Sequence, residues 1–320
     1  MVHWYNMLSY PGIISTTRRD ELASFLRSRR ERLDPVAFGI TPGGRRRTAG
    51  LRREEVAQAA GISATWYVWL EQGRDVNASP HALRALGRAL RLSQAEQTYL
   101  FRLARPDLDG RVGAAGEAMP AAPLLSLIDG LSPHPAYVTN RHRQVVAANR
   151  PARLLLGAFD SGDPARASVI GRLFLDPLWR EIFVDWEVVA RSTVAQFRLA
   201  TASMADDPVV ASLVALLTAS SDDFARWWAD RDLAEPPIWR KTVRHGLVGD
   251  MAFDFATLRP PGRDGDFSVS LYAPADATSR ERMERLSTAN AAVRLRHPPD
   301  ARARRDKAEE SPATSSSRAG

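Results

Sequence analysis

From Asp20 the chain places one helical face at i, i+3, i+4, i+7 and i+11, occupied by Leu22, Phe25, Leu26, Arg29 and Leu33, which predicts a helix. Residues 34–50, with two prolines and four glycines, read as a loop. Helical spacing resumes at Leu51 and breaks at Gly61; Ser63 then caps a third helix that stops at Gly73. Ser79 before Pro80 starts a fourth, and the capping box Ser93 to Glu96 starts a fifth. Five short helices over residues 18–105 make an all-α domain. Residues 1–17 show no period and read as a loose extension, and residues 106–123, rich in Pro, Gly and Ala, as a linker.

Beyond the linker the period changes. Residues 136–139 and 144–148 alternate around a polar turn and give way to helical spacing at Pro151, which predicts a β-hairpin entering a helix. From 178 to 204 the residues Trp179, Ile182, Phe183, Trp186, Val189, Ala190, Thr193, Phe197 and Met204 form one apolar stripe at helical period. Pro208 opens a further helix, and Asp222 with Asp223 favours the first turn of another through its dipole. Met251, Phe253 and Phe255 share one strand face; Phe267, Val269 and Leu271 share one on the next strand, and a strand over 239–245 precedes them. The order ββ, helices, βββ predicts an α+β domain over residues 124–285 with an antiparallel sheet. Residues 297–320 are polar, of low complexity, and read as disordered.

The stretch around Gly61 carries more than a fold. A helix-turn-helix needs a small residue where its helices cross, a glycine at the turn, and aliphatics that set the crossing angle. Ala57, Gly61, and then Val56, Ile62, Tyr67 and Leu70 fill those places. With Tyr67 and Leu70 inward, the 100° step turns Ala64, Thr65, Trp66, Val68 and Trp69 partly or wholly outward, where Thr and Ala could touch base edges in a major groove. For Trp66 and Trp69, packing against the 34–50 loop or the fourth helix stands beside DNA contact. Arg45, Arg46 and Arg47 follow a glycine pair, on an arm able to follow phosphates or enter a narrow minor groove; the other reading is a solvated basic loop.

Charge sharpens this division. Residues 18–105 hold 17 arginines against 9 acidic residues, an excess of eight, whereas residues 120–296 balance 21 basic against 21 acidic residues. A basic helical domain joined to a neutral one fits a part that meets a polyanion and a part that does not. The absence of cysteine removes disulfides, thiolate metal sites, Fe–S clusters and cysteine nucleophiles. No metal or cofactor is expected: the six histidines lie apart at 3, 81, 134, 142, 245 and 297, with His245 read as half-exposed on its strand. G-x-S-x-G, Walker A and G-x-G-x-x-G motifs are missing, which argues against an enzyme. No run of apolar residues is long enough for a membrane span, and a cytoplasmic, nucleoid-associated protein is expected.

"EVAQAAGISATWYVWLEQG" resembles the XRE family of lambda-repressor-like helix-turn-helix domains, a likeness covering about residues 20–104. The resemblance implies that Arg53 contacts phosphate, that Ala64, Thr65 and Trp69 contact bases, and that Arg30 and Glu71 form an ion pair tying helix 1 to the recognition helix. This chain departs in having no Gln at the start of that helix. The full candidate DNA set is Arg45, Arg46, Arg47, Arg53, Ser63, Ala64, Thr65, Trp66, Trp69 and Arg74. "AYVTNRHRQVVAANRPARLLLG" resembles the opening of a PAS-type domain, and about 120–285 is similar to the MmyB-like ligand-binding domain found behind XRE-type domains. That likeness implies a small, largely apolar ligand such as a fatty acid. The candidate ligand set is Tyr137, Trp179, Phe183, Trp186, Phe197, Arg198, Phe253 and Phe255, with ordinary core packing as the rival reading for the rings. Arg180, Arg198 and Arg244 could hold a ligand carboxylate or form surface ion pairs. The adjacent indoles Trp227 and Trp228 suggest a dimer contact.

Together these readings point to a transcription regulator that binds double-stranded DNA, at a palindromic operator and as a homodimer, and whose second domain senses a small apolar molecule. The alternative is a DNA-binding protein whose second domain only dimerises or binds a protein.

Overall fold

A computed structural model describes residues 18–40, 49–108, 119–159, 163–233, 240–260 and 266–288. The expected N-terminal extension, the arm bearing Arg45, Arg46 and Arg47, and the C-terminal tail lie outside these residues.

Helix α1 (Arg18–Glu31) buries Leu22, Phe25, Leu26 and Arg29, the face expected from the spacing. The start of the glycine-rich stretch is not all loop: Asp34 accepts a hydrogen bond from the Val36 amide at 3.0 Å and opens a single 3-10 turn, Pro35–Phe38. At Gly50 (φ +65°) a Cβ would overlap the Arg30 carbonyl, so the chain passes hard against the end of α1 there. Helix α2 (Arg53–Ala60) ends at Gly61, whose φ of 65° costs a glycine little and any branched residue much. Ser63 then caps α3 (Ala64–Glu71) by accepting from the Trp66 amide. Ser79 caps α4 (Pro80–Ala89), and the Ser93–Glu96 capping box starts α5 (Gln94–Ala104). Tyr67, Leu70, Leu86 and Leu100 interlock at the centre, with Phe25 edge-on to Tyr99 at 5.1 Å.

The second part begins with α6 (Ala122–Gly130). Strands β1 (Ala136–Thr139) and β2 (Val145–Ala148) form the expected hairpin and lead into α7 (Arg150–Leu156). Asn149 caps that helix and ties it to the sheet, since its Oδ1 accepts from the amides of both Ala136 and Ala152 at 3.0 Å. There follow α8 (Val169–Leu175), α9 (Pro177–Ile182), α10 (Trp186–Thr201), α11 (Pro208–Ser220) and α12 (Asp222–Asp230). The chain closes with β3 (Arg240–His245), β4 (Gly249–Leu258), β5 (Ser268–Pro274) and α13 (Ala277–Thr288). The strands make one sheet in the order β2-β1-β5-β4-β3, every pairing antiparallel.

The structure adds to and departs from the sequence reading in the second part. The stripe over 178–204 is not one helix: it breaks between α9 and α10, where the Val184 amide donates to the Thr242 carbonyl at 3.1 Å and Phe183 bridges Val243. The edge of β3 supplies hydrogen-bonding groups that outcompete helix continuation. The two strand stripes lie on opposite faces of the sheet. Met251, Phe253 and Phe255 face the large core under the helices, whereas Phe267 and Val269 meet Ile128 of α6 on the other side. Helix α13, unforeseen, seals the large core with Met283 and Leu286.

Candidate DNA interface and interdomain cleft

The recognition helix is held by charge. Arg30, from α1, grips Glu71 at the end of α3 with both arms of its guanidinium, Nε to Oε2 at 2.9 Å and Nη2 to Oε1 at 2.8 Å, and also donates to the Leu51 carbonyl at 2.9 Å. Arg53 adds a third bond, Nε to Glu71 Oε1 at 3.0 Å. Burial pushes the Glu71 carboxyl upward, but the bonds from Arg30 and Arg53 outweigh it and leave the group below the ordinary carboxylate range. The ion pair implied by the family resemblance is therefore present, and it sets the angle at which α3 meets α1.

With Tyr67, Leu70 and Glu71 buried, α3 presents Ala64, Thr65 and Trp69 to solvent, and Ser63 lies exposed at its start. The two tryptophans part company: Trp66 packs partly against the helical core, while Trp69 is 41% exposed with the Arg74 guanidinium 5.8 Å from its ring. Arg53 keeps an accessible head at the rim of the same face while bonded to Glu71.

The aromatic residues proposed to line a ligand pocket instead pack on one another. Tyr137, Trp179, Phe183, Trp186, Phe197, Phe253 and Phe255 all belong to the large core, with Trp179 edge-on to Phe183 and Phe255 edge-on to Tyr272. Their indole N–H groups find internal partners: Trp179 Nε1 donates to the Leu156 carbonyl and Trp186 Nε1 to that of Leu173. The indoles of Trp227 and Trp228 pack within this part, Trp227 buried and Trp228 half-buried. Trp227 sits against Trp186 and Phe174, and Trp228 stacks on Phe224 at 5.5 Å. His245 is buried, not half-exposed; burial lowers its pKa and its Nδ1 accepts from the Leu247 amide. Arg180 and Arg244 form surface pairs with Asp223 and Asp250.

Arg198 alone of the candidate ligand residues borders a sizeable opening. A cleft of about 600 Å³ lies among α10, α11 and α12 and reaches α1 and α5 at one end. Val210, Ala211, Val214 and Ala215 of α11, with Ala225 and Trp228 of α12, make apolar walls; Glu21 and Tyr99 from the DNA-binding helices close one end with Arg198. There Arg198 Nη1 donates to Glu21, Nη2 donates to the Trp228 carbonyl, and the guanidinium lies 3.8 Å from the Trp228 ring. Tyr99 Oη donates to the same Glu21 oxygen at 2.7 Å.

Residues 121–286 match the MmyB-like transcription regulator ligand binding domain, more than half of the chain, and residues 21–100 match a helix-turn-helix domain. The chain belongs to the MmyB-like transcription regulators. No curated protein sequence matches it. This MmyB-like regulator is thus a DNA-binding protein with a ligand-sensing domain behind its helix-turn-helix, and none of its described helices is long and apolar enough to cross a membrane.

In this regulator the two parts are not beads on a linker. Ala202 and Leu233, from the ligand-binding part, are buried in the same core as Leu26 and Leu100. Arg102 donates to the Leu199 carbonyl at 2.7 Å, Arg32 to that of Asp230 at 2.6 Å and Arg29 to that of Arg231 at 2.5 Å. Sequence reasoning singled out Arg198 but missed Glu21 and Tyr99, because its partner lies 177 residues away along the chain. The only local signal was a carboxylate in the first turn of α1 beside the apolar Leu22.

Proposed function

We propose that this regulator binds a palindromic operator as a homodimer through α3, and that a small, mostly apolar molecule in the interdomain cleft tunes that binding. The cleft carries the reading, because Glu21 and Tyr99 of the first domain close one end of it against Arg198, so an occupant alters the seating of α1 and α5 on the second domain. The two recognition helices of a dimer must match half-sites about 34 Å apart, and a small change of seating removes the advantage of binding both. The class of ligand follows from walls of Val, Ala and Trp with a single charged end.

Filling the cleft tests the ligand assignment. In native mass spectrometry of the full chain, a small molecule carried by the wild type should be lost from Ala215→Trp, whose indole occupies the apolar wall. A molecule retained at full occupancy by a folded Ala215→Trp chain would place the ligand elsewhere and overturn the cleft assignment.

The recognition face has its own test on sites selected from a random DNA pool. Thr65→Ala is expected to lose about 1–3 kcal/mol of discrimination at one base position while binding bulk DNA as before. Arg53→Gln, which keeps a donor for Glu71, is expected to weaken all DNA alike and reduce the salt slope by about one. Equal effects of both substitutions on every sequence would remove Thr65 from readout.

A further inference from the structure

The inner face of the sheet carries a polar patch that neither DNA binding nor the cleft uses. Strand register sets Lys241 beside Phe253, Phe255 beside Tyr272, and Ser270 beside Tyr137. Lys241 does not point out from the edge strand. Its Nζ lies 3.4 Å from the centre of the Phe255 ring and 5.6 Å from that of Tyr272, so the side chain runs inward across the sheet. From the opposite side comes Arg143, in the β1–β2 turn, whose guanidinium is close enough to act on both the Tyr137 hydroxyl and Lys241. Thr139, fully buried two residues along from Tyr137, has an Oγ1 with no hydrogen-bond partner.

Two half-buried cations whose charges act on each other above an apolar core are costly unless an anion joins them. Among the described residues neither forms an ion pair with a carboxylate: the titratable groups facing Lys241 are Arg143 and Tyr272, and Tyr137 faces Arg143, none of them acidic at neutral pH. Both cations are enclosed by neighbouring residues, yet each keeps some accessible surface. A small hollow, bordered by Asn140, Ser268, Met204 and Asp266, opens onto Arg143, and it shares no lining residue with the interdomain cleft. We propose that Arg143 and Lys241 form a site for an anionic group, a carboxylate or a phosphate, with the hydroxyls of Tyr137, Ser270 and Thr139 as neutral donors around it. The site is independent of the cleft and stands or falls without it.

The sign of its pH dependence follows. Burial, and then the charge of Arg143, lower the Lys241 ammonium to about 7. An anion binds the protonated form, so binding holds below that midpoint, fades as pH rises through it, and raises the midpoint itself.

The chain has only two lysines, Lys241 and Lys307, which makes the test direct. Full-length protein carrying 13Cε-lysine gives two resonances, assigned by Lys307→Arg, and the Lys241 signal is titrated in a buffer free of phosphate and carboxylate. The expected midpoint is near 7, and inorganic phosphate or acetate should raise it saturably by about one unit, against sodium chloride at matched ionic strength. A response to phosphate alone marks a phosphoryl group, and one to acetate a carboxylate. Arg143→Gln should raise the midpoint without added anion, by removing a like charge, and abolish the response to both probes. A midpoint near the ordinary lysine value, or one that neither probe moves beyond the chloride control, would overturn the proposal on the unsubstituted protein alone.

Discussion

Replacing Glu71 by Gln is expected to melt the DNA-binding helices about 12–40 °C below the wild type. Glu71 has no solvent exposure and takes both arms of Arg30, itself buried, together with a bond from Arg53. An amide of the same size keeps the volume but leaves the Arg30 charge only the partly exposed Glu31 carboxylate at 3.3 Å, a loss of about 3–5 kcal/mol for breaking a buried pair from one side. In a domain of this size each kcal/mol moves the midpoint by about 4–8 °C. Acid repeats the experiment on the unsubstituted chain. Because the folded-state carboxyl lies below its ordinary value, its contribution is fully present above the unfolded-state pKa and is lost as pH falls through the lowered, folded-state one. Circular dichroism melts at neutral pH decide the matter, and a Glu71→Gln midpoint within a few degrees of wild type would show that the pair only orients α3.

Glu21→Gln is expected to act between the domains instead of within one. The buried Arg198 would lose its carboxylate while keeping the Trp228 carbonyl and ring, so the penalty should fall toward the lower end of the buried-pair range, about 3 kcal/mol. Arg18, Arg29, Arg32 and Arg102 still cross the interface, and Ala202 and Leu233 remain in the shared core. The interface should loosen while each part stays folded. Calorimetry should show one transition for the wild type dividing into two, with faster cleavage by a protease between residues 106 and 123. Arg198→Met tests the same contact from the other side, and Glu21→Gln with Arg198→Met should cost less than the two single losses added together, since the double variant leaves no orphan charge. Additive losses would mean that the two side chains stabilise their own domains separately.

Much of the helical domain was legible because its signals are local. A cap needs a residue and an amide three positions on, and Ser63, Ser79 and Ser93 all perform as their spacing predicts. Gly61 adopts the positive φ that the helix-turn-helix pattern demands, and even the Arg30–Glu71 pair could be carried over from a family resemblance because the intervening motif fixes its geometry. The hairpin into α7 and the antiparallel sheet were legible for the same reason, alternation followed by Asn149 and Pro151.

The ligand-side residues were not. An apolar stripe says that a face is buried without saying what buries it, and here the rings of Trp179, Phe183, Trp186 and Phe253 bury one another. The sequence by itself determined where the five helices of the first domain start and stop, which face of α3 is free, and that the positive charge gathers in that domain. Only the tertiary structure decided that Glu21 answers Arg198, that the stripe after Trp179 yields to the edge of β3, and that Lys241 turns inward over Phe255. The physical reason is range: backbone capping and periodic burial act over a few residues, whereas a buried charge takes its partner from whatever element the completed fold brings within a few ångströms.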